Sequence, residues 1–394
     1  MSQRNLPLDY LKTTVIVLVV AFHSVIAYCV FSPVGVLPFD TEHFLGNPGP
    51  VLDSVRWSGF DYFFRIIDTC MMPLMFFVSG LFVWPSLKRK GSQAFVRDRV
   101  VRLGVPYAVA VVLLMPLAFF PSFLMTGSDL GAASFIAHYY SIAEWPASPA
   151  WFIWVLLVFN CVLVGLIALV PGTVAALGRV GAAANRHPIA FFIALVGCSG
   201  IVFAVAVQTC GVDGSCWLGF GPFKAQLSRI PLDFIYFLTA VGIGVQGVEH
   251  GLLAGDGPLA RRWGSWLLLG AAAAALYLTL GSWFPFVNIG REALLPTGVW
   301  VFAFALTCAA LSFAMIAVFL RFANRPSVVF DSLQRNAFGI YIIHYLFVAW
   351  AQYALLSAPL PAVGKAGIVF VVALAFSWAV IDAIRRIPAV GRYL

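Results

Sequence analysis

The sequence predicts an all-α, polytopic membrane protein with about ten transmembrane helices. Of its 394 residues, 62% are hydrophobic and only 10% are charged, and the mean hydropathy is +0.95. A soluble chain is about half apolar and about a quarter charged, so this composition belongs to a bilayer. Apolar runs of about 20 residues, long enough to cross a hydrocarbon core of ~30 Å, recur along the chain. They lie at 8–31, 60–84, 99–120, 150–171, 188–208, 230–248, 262–281, 297–320, 337–356 and 363–383.

We expect residues 1–394 to form one membrane domain. The sequence shows no internal repeat and no soluble domain, and its Pro- and Gly-rich stretches fall between the apolar runs. The first run is too long for the apolar region of a signal peptide, and no small-residue cleavage site follows it. We therefore interpret it as the first transmembrane helix.

The distribution of Lys and Arg predicts the orientation. The formal net charge is +8. Lys and Arg concentrate in alternate loops, as they do on the cytoplasmic side of multi-pass proteins. This pattern predicts that both termini are cytoplasmic, which requires an even number of spans. It accounts for the net positive charge without any binding of nucleic acid, and we expect no nucleic-acid partner.

The first apolar run carries Asp9, Lys12 and His23. An α-helix turns about 100° and rises about 1.5 Å per residue, so Lys12 and His23 share a face and are ~16 Å apart. Asp9 joins the same stripe. At the inner boundary, Asp9 and Lys12 are either catalytic or an interfacial pair whose lysine reaches the headgroups. His23 is either a hydrogen-bonded core histidine or a general base or proton shuttle, and ionisable groups inside a membrane favour function.

A partner for His23 is predicted from depth. Asp68 lies about eight residues from the outer end of the second run, and His23 lies at a similar depth in the first. A carboxylate there would accept the ring N–H and raise the basicity of the histidine. Arg65, one helical turn further out, offers Asp68 an alternative partner. We therefore predict a catalytic pair of His23 and Asp68, with this alternative open.

The densest basic region follows the second run, in SLKRKGSQAFVRDRVVRLGVPY at 86–107. Arg99 and Arg102 are three residues apart and are predicted to share a helix face. Guanidinium groups bind phosphate through paired donors, so coenzyme A and anionic lipid headgroups both fit this region. The other candidate donor-binding cations are Lys88, Arg89 and Arg97.

Two features are predicted to lie outside the membrane. Cys210 and Cys216 share the loop between the fifth and sixth runs, where an oxidising compartment favours a disulfide over free thiols. No further Cys or His lies in that loop, so we expect no metal site. Trp151, Trp154 and Tyr62 are candidate acceptor-binding residues on which sugar rings stack, although an interfacial aromatic belt would use the same residues.

Five motifs, in order from residue 5 to residue 350, resemble the acyltransferase-3 family of integral membrane acyltransferases. They are LDYLKTTVIVLVVAFH, MMPLMFFVSGLF, RDRVVRLGVPY, AWFIWVLLVF and NAFGIYIIHYLFVAW. The segments DTCMMPLMFFVSGLF and RVVRLGVPYAV also resemble the branch that contains glucan biosynthesis protein C, a proposed succinyltransferase of periplasmic glucans.

This resemblance implies acyl transfer from a cytoplasmic acyl-CoA to a hydroxyl, commonly of a sugar, at or beyond the outer face. It implies a bacterial inner-membrane protein with acyl-CoA as co-substrate and no permanently bound cofactor. His23 matches the family's essential histidine, and Arg99 and Arg102 match its arginine pair. Lys12 stands where the family usually has Arg, and it keeps the charge but loses the bidentate fork. We expect partners of three kinds, namely acyl-CoA, a carbohydrate or glycoconjugate acceptor and membrane lipids.

The resemblance also draws attention to the late helix that carries Tyr341, His344 and Tyr345. We place His344 in the inner half of the membrane, where these three residues would position the donor or simply pack in the core. His23 would either deprotonate the acceptor hydroxyl or carry the acyl group itself. A proton-coupled transporter that uses His23 and Asp68 is the alternative function, although the chain lacks the two related halves typical of transporters.

Overall fold

The computed structural model describes residues 5–32, 49–127, 131–210, 217–283 and 294–387. Its helices are α1 (Leu6–Ile26), α2 (Gly59–Gly80), α3 (Val83–Lys90), α4 (Ser92–Arg99), α5 (Val105–Val109), α6 (Met115–Met125), α7 (Ala132–Ser141), α8 (Trp151–Leu169), α9 (Thr173–Arg186), α10 (Pro188–Cys210), α11 (Ile230–Gln246), α12 (Pro258–Arg261), α13 (Trp263–Trp283), α14 (Leu294–Phe322), α15 (Val328–Ala354) and α16 (Ala362–Arg385). Strands β1 (Trp217–Phe220) and β2 (Phe223–Gln226) form one antiparallel hairpin.

The all-α, polytopic prediction is confirmed. Within the described ranges, nine helices are long and apolar enough to cross a membrane. A tenth span depends on α11, which is followed after a sharp bend of 95° by the short segment Gly251–Arg261. The apolar run predicted at 230–248 is therefore a 17-residue helix with a bend after it, rather than one straight span. "Inner" and "outer" below follow the orientation predicted from Lys and Arg.

The helices around the site pack closely. Helix α1 lies against α2, α14, α15 and α16, and α2 also packs on α11. At the crossing of α2 and α11, a Cβ atom on Gly80 would lie 2.5 Å from the Phe237 carbonyl oxygen. Such close contact of backbones is how membrane helices gain packing energy without a hydrophobic driving force between them. This contact fixes α2, and α2 in turn supports α1.

The basic region forms a helical hairpin on the inner side. Helix α3 ends at Gly91, whose φ of 77° reverses the chain, and α4 begins at the next residue. A side chain would be strained in that left-handed conformation, whereas glycine adopts it freely. Two segments with i→i+5 hydrogen bonds, Val100–Gly104 and Ala110–Leu114, then interrupt the third span. The hairpin brings α4 and its arginines under the inner end of α1.

The chain before α8 enters the protein next to α15 instead of remaining in an outer loop. The Tyr341 hydroxyl donates a hydrogen bond to the carbonyl of Pro149, in the 3₁₀ turn Ser148–Ala150. The chain just ahead of that turn bonds the β-hairpin, where Trp145 N–H donates to the Gly221 carbonyl at 2.8 Å and Gly221 N–H donates to the Ala143 carbonyl at 2.8 Å. The turn therefore contacts α15, and the chain just ahead of it is bonded to the β-hairpin.

Candidate active site

His23 lies in the last turns of α1 and faces α15. Its Nδ1 is 3.1 Å from Nε2 of His344 and 2.9 Å from the carbonyl oxygen of Val19. The two imidazole centroids are 5.1 Å apart. His344 is fully buried, whereas His23 is only partly buried. The structure thus joins two histidines that are 321 residues apart in the sequence.

The hydrogen bonds of His344 assign its tautomer. Its Nδ1 is 2.7 Å from the Tyr341 carbonyl oxygen and 3.2 Å from that of Ile340. A carbonyl oxygen only accepts, so Nδ1 of His344 carries the hydrogen. In neutral His344, Nε2 is then an acceptor, and this is the atom that contacts His23.

The same reasoning assigns the proton of His23. Its Nδ1 lies near the Val19 carbonyl oxygen and near the acceptor Nε2 of His344, so Nδ1 carries the hydrogen and both neighbours compete for it. The lone pair of neutral His23 therefore lies on Nε2. This atom has no hydrogen-bond partner among the described residues. The arrangement leaves Nε2 free to accept a proton or to attack a carbonyl carbon.

Neighbouring groups hold the His23 ring and its backbone. The Tyr345 ring meets the His23 ring edge-on at a centroid distance of 5.0 Å. Gln352 donates to the backbone carbonyls of His23 at 3.0 Å and of Ser24 at 3.3 Å, which ties α1 to α15. Phe22 stacks on Phe64 of α2 at 4.5 Å. Sequence reasoning missed Gln352, whose only signal was its place two helical turns after His344 on an apolar helix.

Two predictions about this pair are wrong. His344 does not lie in the inner half of the membrane, because α15 begins at Val328, nine residues before the predicted span, and reaches the level of His23 at His344. Asp68 does not provide the partner of His23, because its carboxylate pairs with Arg229 and its backbone carbonyl accepts from the same guanidinium at 3.1 Å. Arg229 was assigned no role by the sequence, since it looked like an ordinary outer-loop cation.

The Asp68–Arg229 pair belongs to a separate buried polar cluster. Asp233, one turn into α11, is 1% exposed, and neither of its carboxylate oxygens has a hydrogen-bond partner. The Arg229 Nε and the Ser228 hydroxyl are likewise buried without partners. This cluster lies at the start of α11, and none of its members contacts His23 through a described hydrogen bond or ion pair.

At the inner end of α1, the predicted cations do come together. The Lys12 ammonium lies over the Phe82 ring, 4.5 Å from its centroid. The charges of Asp9 and Arg99 both act on this ammonium. Arg99 lies over the Phe95 ring at 4.9 Å, and its Nε is buried without a hydrogen-bond partner. Lys12 of α1 and Arg99 of α4 thus form one inner cationic site, which Asp9 borders.

Arg102 does not share this position with Arg99. Its side chain is 60% exposed, and its Nε pairs with Asp98 at 3.0 Å. The prediction of a common face assumed an α-helix, whereas the i→i+5 turn begins at Val100, so each residue beyond Arg99 advances by a smaller angle. Asp98, which the sequence analysis passed over, also binds Lys90 at 2.8 Å. The remaining predicted cations, Lys88, Arg89 and Arg97, are exposed on the hairpin.

The aromatic candidates for acceptor binding do not meet at His23. Trp151 packs on Phe76 at 6.3 Å, and the indole N–H of Trp154 donates to the Lys224 carbonyl at 3.2 Å. Tyr62 is 54% exposed at the outer end of α2. Tyr341 and Tyr345, by contrast, both contact His344. Of the predicted wall, His344 is therefore one member of the histidine pair, and Tyr341 and Tyr345 lie beside it. Donor binding by these residues remains a prediction.

Cys210 is disulfide-bonded, and its predicted partner, Cys216, lies outside the described residues. The cysteines at positions 29, 70, 161, 198 and 308 are free. No group of three or more His, Cys, Asp or Glu side chains that could hold a metal ion occurs in the described part of the chain.

These features define a multi-pass membrane protein with paired histidines between its first and fifteenth helices and a cationic site on the inner side. Comparison with protein families gives the more specific assignment. The family model described as an acyltransferase domain matches residues 5–382, nearly the whole chain. The chain therefore belongs to the acyltransferase-3 family and is a membrane acyltransferase. No curated protein and no solved structure matches it.

Proposed function

We propose that the protein transfers an acyl group, acetyl or succinyl, from cytoplasmic acyl-CoA to a hydroxyl of a carbohydrate or glycoconjugate at or beyond the outer face. The free lone pair of His23 Nε2, fixed by the hydrogen bonds at Nδ1, is the observation that carries this proposal. The coarse activity rests on the family match. Donor, acceptor and the role of His23 are the proposed parts.

Donor binding is assigned to the inner cationic site. Lys12 lies near the inner end of α1 and Arg99 lies at the end of α4, and Arg99 has an unused Nε–H that a phosphate oxygen would satisfy. Along α1, Lys12 and His23 are ~16 Å apart. A donor whose phosphates bind at Lys12 and Arg99 would extend its acyl end along α1 towards His23. The exposed Lys88, Arg89 and Arg97 would attract the anionic donor from the cytoplasm.

In the base route, His23 Nε2 takes the proton of the acceptor hydroxyl as that oxygen attacks the thioester carbonyl carbon. The C–S bond then breaks, and the CoA thiolate leaves. The proton on His23 Nε2 afterwards passes to the thiolate, which gives CoA thiol and neutral His23. Positive charge develops on the His23 ring, where it strengthens the Nδ1–H bonds to Val19 and His344. Because His344 keeps its own proton on the Tyr341 side, it stays an acceptor throughout.

In the relay route, His23 Nε2 itself attacks the thioester. An N–C bond forms, the C–S bond breaks, and the CoA thiolate leaves. The acceptor hydroxyl oxygen then attacks the acyl carbon, the N–C bond breaks, and the hydroxyl proton passes to the freed Nε2 and from there to the thiolate. Both routes use the same lone pair and the same proton on Nδ1.

We propose the bacterial inner membrane as the location and surrounding lipids as further partners, with the periplasmic glucan branch as one source of acceptors.

The test compares wild type, His23→Ala and His250→Ala. His250 is exposed in the loop after α11, so its variant is the matched control. In proteoliposomes with acetyl-CoA or succinyl-CoA and cell-envelope glycan, we expect wild type and His250→Ala to release CoA thiol and to add an acyl mass to the glycan. His23→Ala should do neither at equal membrane abundance.

Two outcomes contradict the proposal. Full acylation by His23→Ala would make His23 a packing residue. Absence of CoA release by wild type, together with proton-coupled solute uptake, would favour the transporter. The acyl mass observed in the positive case distinguishes acetyl from succinyl.

A further inference from the structure

Helices α1 and α15 run parallel and are hydrogen-bonded at both ends. At the inner end, the Tyr10 hydroxyl donates to the Asp331 carboxylate at 2.8 Å. Near the outer end, His23 meets His344, and the side-chain amide of Gln352 donates to the His23 carbonyl at 3.0 Å. Among the described hydrogen bonds, only the histidine contact and this amide join the outer half of α1 to α15.

The end of α1 explains what this amide bonds. The last carbonyls of a helix have no intrahelical donor. In a continued helix, the Tyr28 N–H would donate to the Ser24 carbonyl, but it donates to the Val25 carbonyl at 2.9 Å instead. Gln352 replaces the missing donor, since its amide bonds the Ser24 carbonyl at 3.3 Å as well as the His23 carbonyl. A side chain of α15 therefore caps the helix that carries His23.

The orientation of the Gln352 amide follows from its two partners. Both are backbone carbonyl oxygens, which only accept, so the NH₂ group faces α1. Helical side chains lean towards the N-terminal end of their helix, so the amide reaches back along α15 to the last carbonyls of the parallel α1. Gln352 is 2% exposed, so loss of its amide would leave buried polar groups unpaired.

Helix α15 therefore holds His23 at two places, through the ring and through the backbone. The His23 Nδ1 has two acceptors, the Val19 carbonyl at 2.9 Å and the Nε2 of His344 at 3.1 Å. Val19 belongs to α1 and moves with His23, whereas His344 belongs to α15. A shift of the end of α1 would keep the contact with Val19 and lengthen the contact with His344. The Gln352 amide opposes that shift.

We propose that Gln352 is a positioning residue for acyl transfer, which fixes the end of α1 so that the His23 ring stays hydrogen-bonded to His344 and its Nε2 keeps one direction. The inference rests on the proposed function. A misplacement of about 1 Å in a reacting group costs up to about 10²-fold in rate. Gln352 acts through the backbone of α1, because its described hydrogen bonds go to carbonyls of α1 and not to the ring of His23.

The decisive variant is Gln352→Met, because methionine has a similar length and no hydrogen-bond donor. We expect its kcat to fall by about tenfold, while the KM for acyl-CoA stays unchanged, since the proposed donor site at Lys12 is ~16 Å from His23. CoA release from acetyl-CoA and succinyl-CoA in proteoliposomes with envelope glycan, per amount of folded protein, is the readout.

The matched control is Thr307→Val. The Thr307 hydroxyl is buried and donates to the Ala273 carbonyl at 2.9 Å, so valine removes a bond of the same kind between α13 and α14. This variant should keep wild-type kcat. Gln352→Asn keeps the amide but is one carbon shorter, so it cannot reach both carbonyls. Its kcat should lie between those of wild type and Gln352→Met, and it supplies the measurement if methionine prevents folding.

A spectroscopic signature separates positioning from general stability. In protein labelled with ¹⁵N-histidine, the imidazole nitrogen resonances that disappear in His23→Gln belong to His23. We expect these resonances to shift in both Gln352 variants, because the contact with His344 lengthens, and to stay unchanged in Thr307→Val.

Wild-type kcat in both Gln352 variants would overturn the inference. An equal loss of kcat in Thr307→Val would also overturn it, and so would a lower kcat in the Gln352 variants with unchanged His23 resonances. His23→Ala in the same assay separates the two proposals. If His23→Ala abolishes transfer while the Gln352 variants are fully active, the proposed function stands without this inference. If His23→Ala is active, the proposed function itself fails.

Discussion

Two buried polar pairs near the outer side differ in how fully their hydrogen-bonding groups are used. Lys365 and Asp53, which are 0% and 1% exposed, form an ion pair at 2.8 Å. The Lys365 ammonium also donates to the Leu356 carbonyl at 3.0 Å, and the second Asp53 oxygen accepts from Val55 N–H at 2.8 Å. In the His23–His344 pair, by contrast, Nε2 of His23 has no described partner.

The comparison separates a structural contact from a reactive one. The Lys365–Asp53 pair ties the chain after α1 to the start of α16, since Asp53 N–H also donates to the Ala27 carbonyl at 3.1 Å. Because both side chains are buried and hydrogen-bonded, this ion pair presents no polar group that a substrate could reach. The partly buried His23 has a lone pair that a substrate can reach.

The same distinction holds between Arg99, the last residue of the basic hairpin, and Arg102, which follows it. Arg102 is exposed and already paired with Asp98, whereas Arg99 is partly buried with an unused Nε–H. An unsatisfied polar group on a partly exposed side chain is a candidate for ligand binding. Substitutions of these residues test whether exposure separates substrate-binding groups from structural ones.

The largest effect is expected for His23→Gln. This variant keeps a polar side chain of similar length but has no lone pair that can accept a proton at neutral pH. We expect CoA release to fall roughly 10²- to 10⁴-fold, the usual contribution of a general base. The melting temperature should stay within a few degrees of wild type, because the ring is only partly buried. A large loss of stability would place His23 with the structural pair instead.

Lys365→Met should show the opposite behaviour. Removing one partner of a buried ion pair leaves an uncompensated charge and costs about 3–5 kcal/mol. We expect this loss in the free energy of unfolding, measured in detergent by urea titration, while the folded fraction keeps wild-type kcat. Lys365→Met combined with Asp53→Asn should recover most of the stability. If the double variant is as unstable as the single one, charge is not the cause.

Arg99→Gln should raise the KM for acyl-CoA by about tenfold or more, because hydrogen bonds to charged groups are worth about 1.5–3 kcal/mol. Arg102→Gln is the matched control. Its exposed pair with Asp98 is worth about 0–1 kcal/mol, so the KM should change less than about fivefold. Initial rates over a range of acyl-CoA concentrations measure both. Equal effects of the two variants would show that only total charge matters.

The smallest effect is expected for Asp233→Asn. Its carboxylate oxygens are unsatisfied, but the residue is 1% exposed, so no substrate reaches it, and enclosed water is the expected partner of such groups. CoA release should remain within about twofold of wild type, since the group is outside the reaction path. A loss as large as that of His23→Gln would show that accessibility is the wrong criterion and would bring Asp68 and Arg229 into the mechanism.

Much of this protein was predictable from local pattern. Hydropathy predicted the membrane class and nearly all spans, because an apolar run must remain in the bilayer wherever its neighbours lie. Helix geometry predicted the stripe of Asp9, Lys12 and His23 on α1. The face shared by Arg99 and Arg102 was not predictable, since the i→i+5 turn between them has no clear signal in the residues.

The sequence by itself therefore determined the class of fold, the family and the histidine on the first helix. Only the tertiary structure decided the partners: His344 for His23, Arg229 for Asp68, and Tyr341 of α15 for the turn Ser148–Ala150. Each pairing joins residues on separate helices, so it depends on where α15 begins and on how closely α2 and α11 approach. Periodicity fixes the face that a residue occupies on its own helix, but packing between helices selects what that face meets.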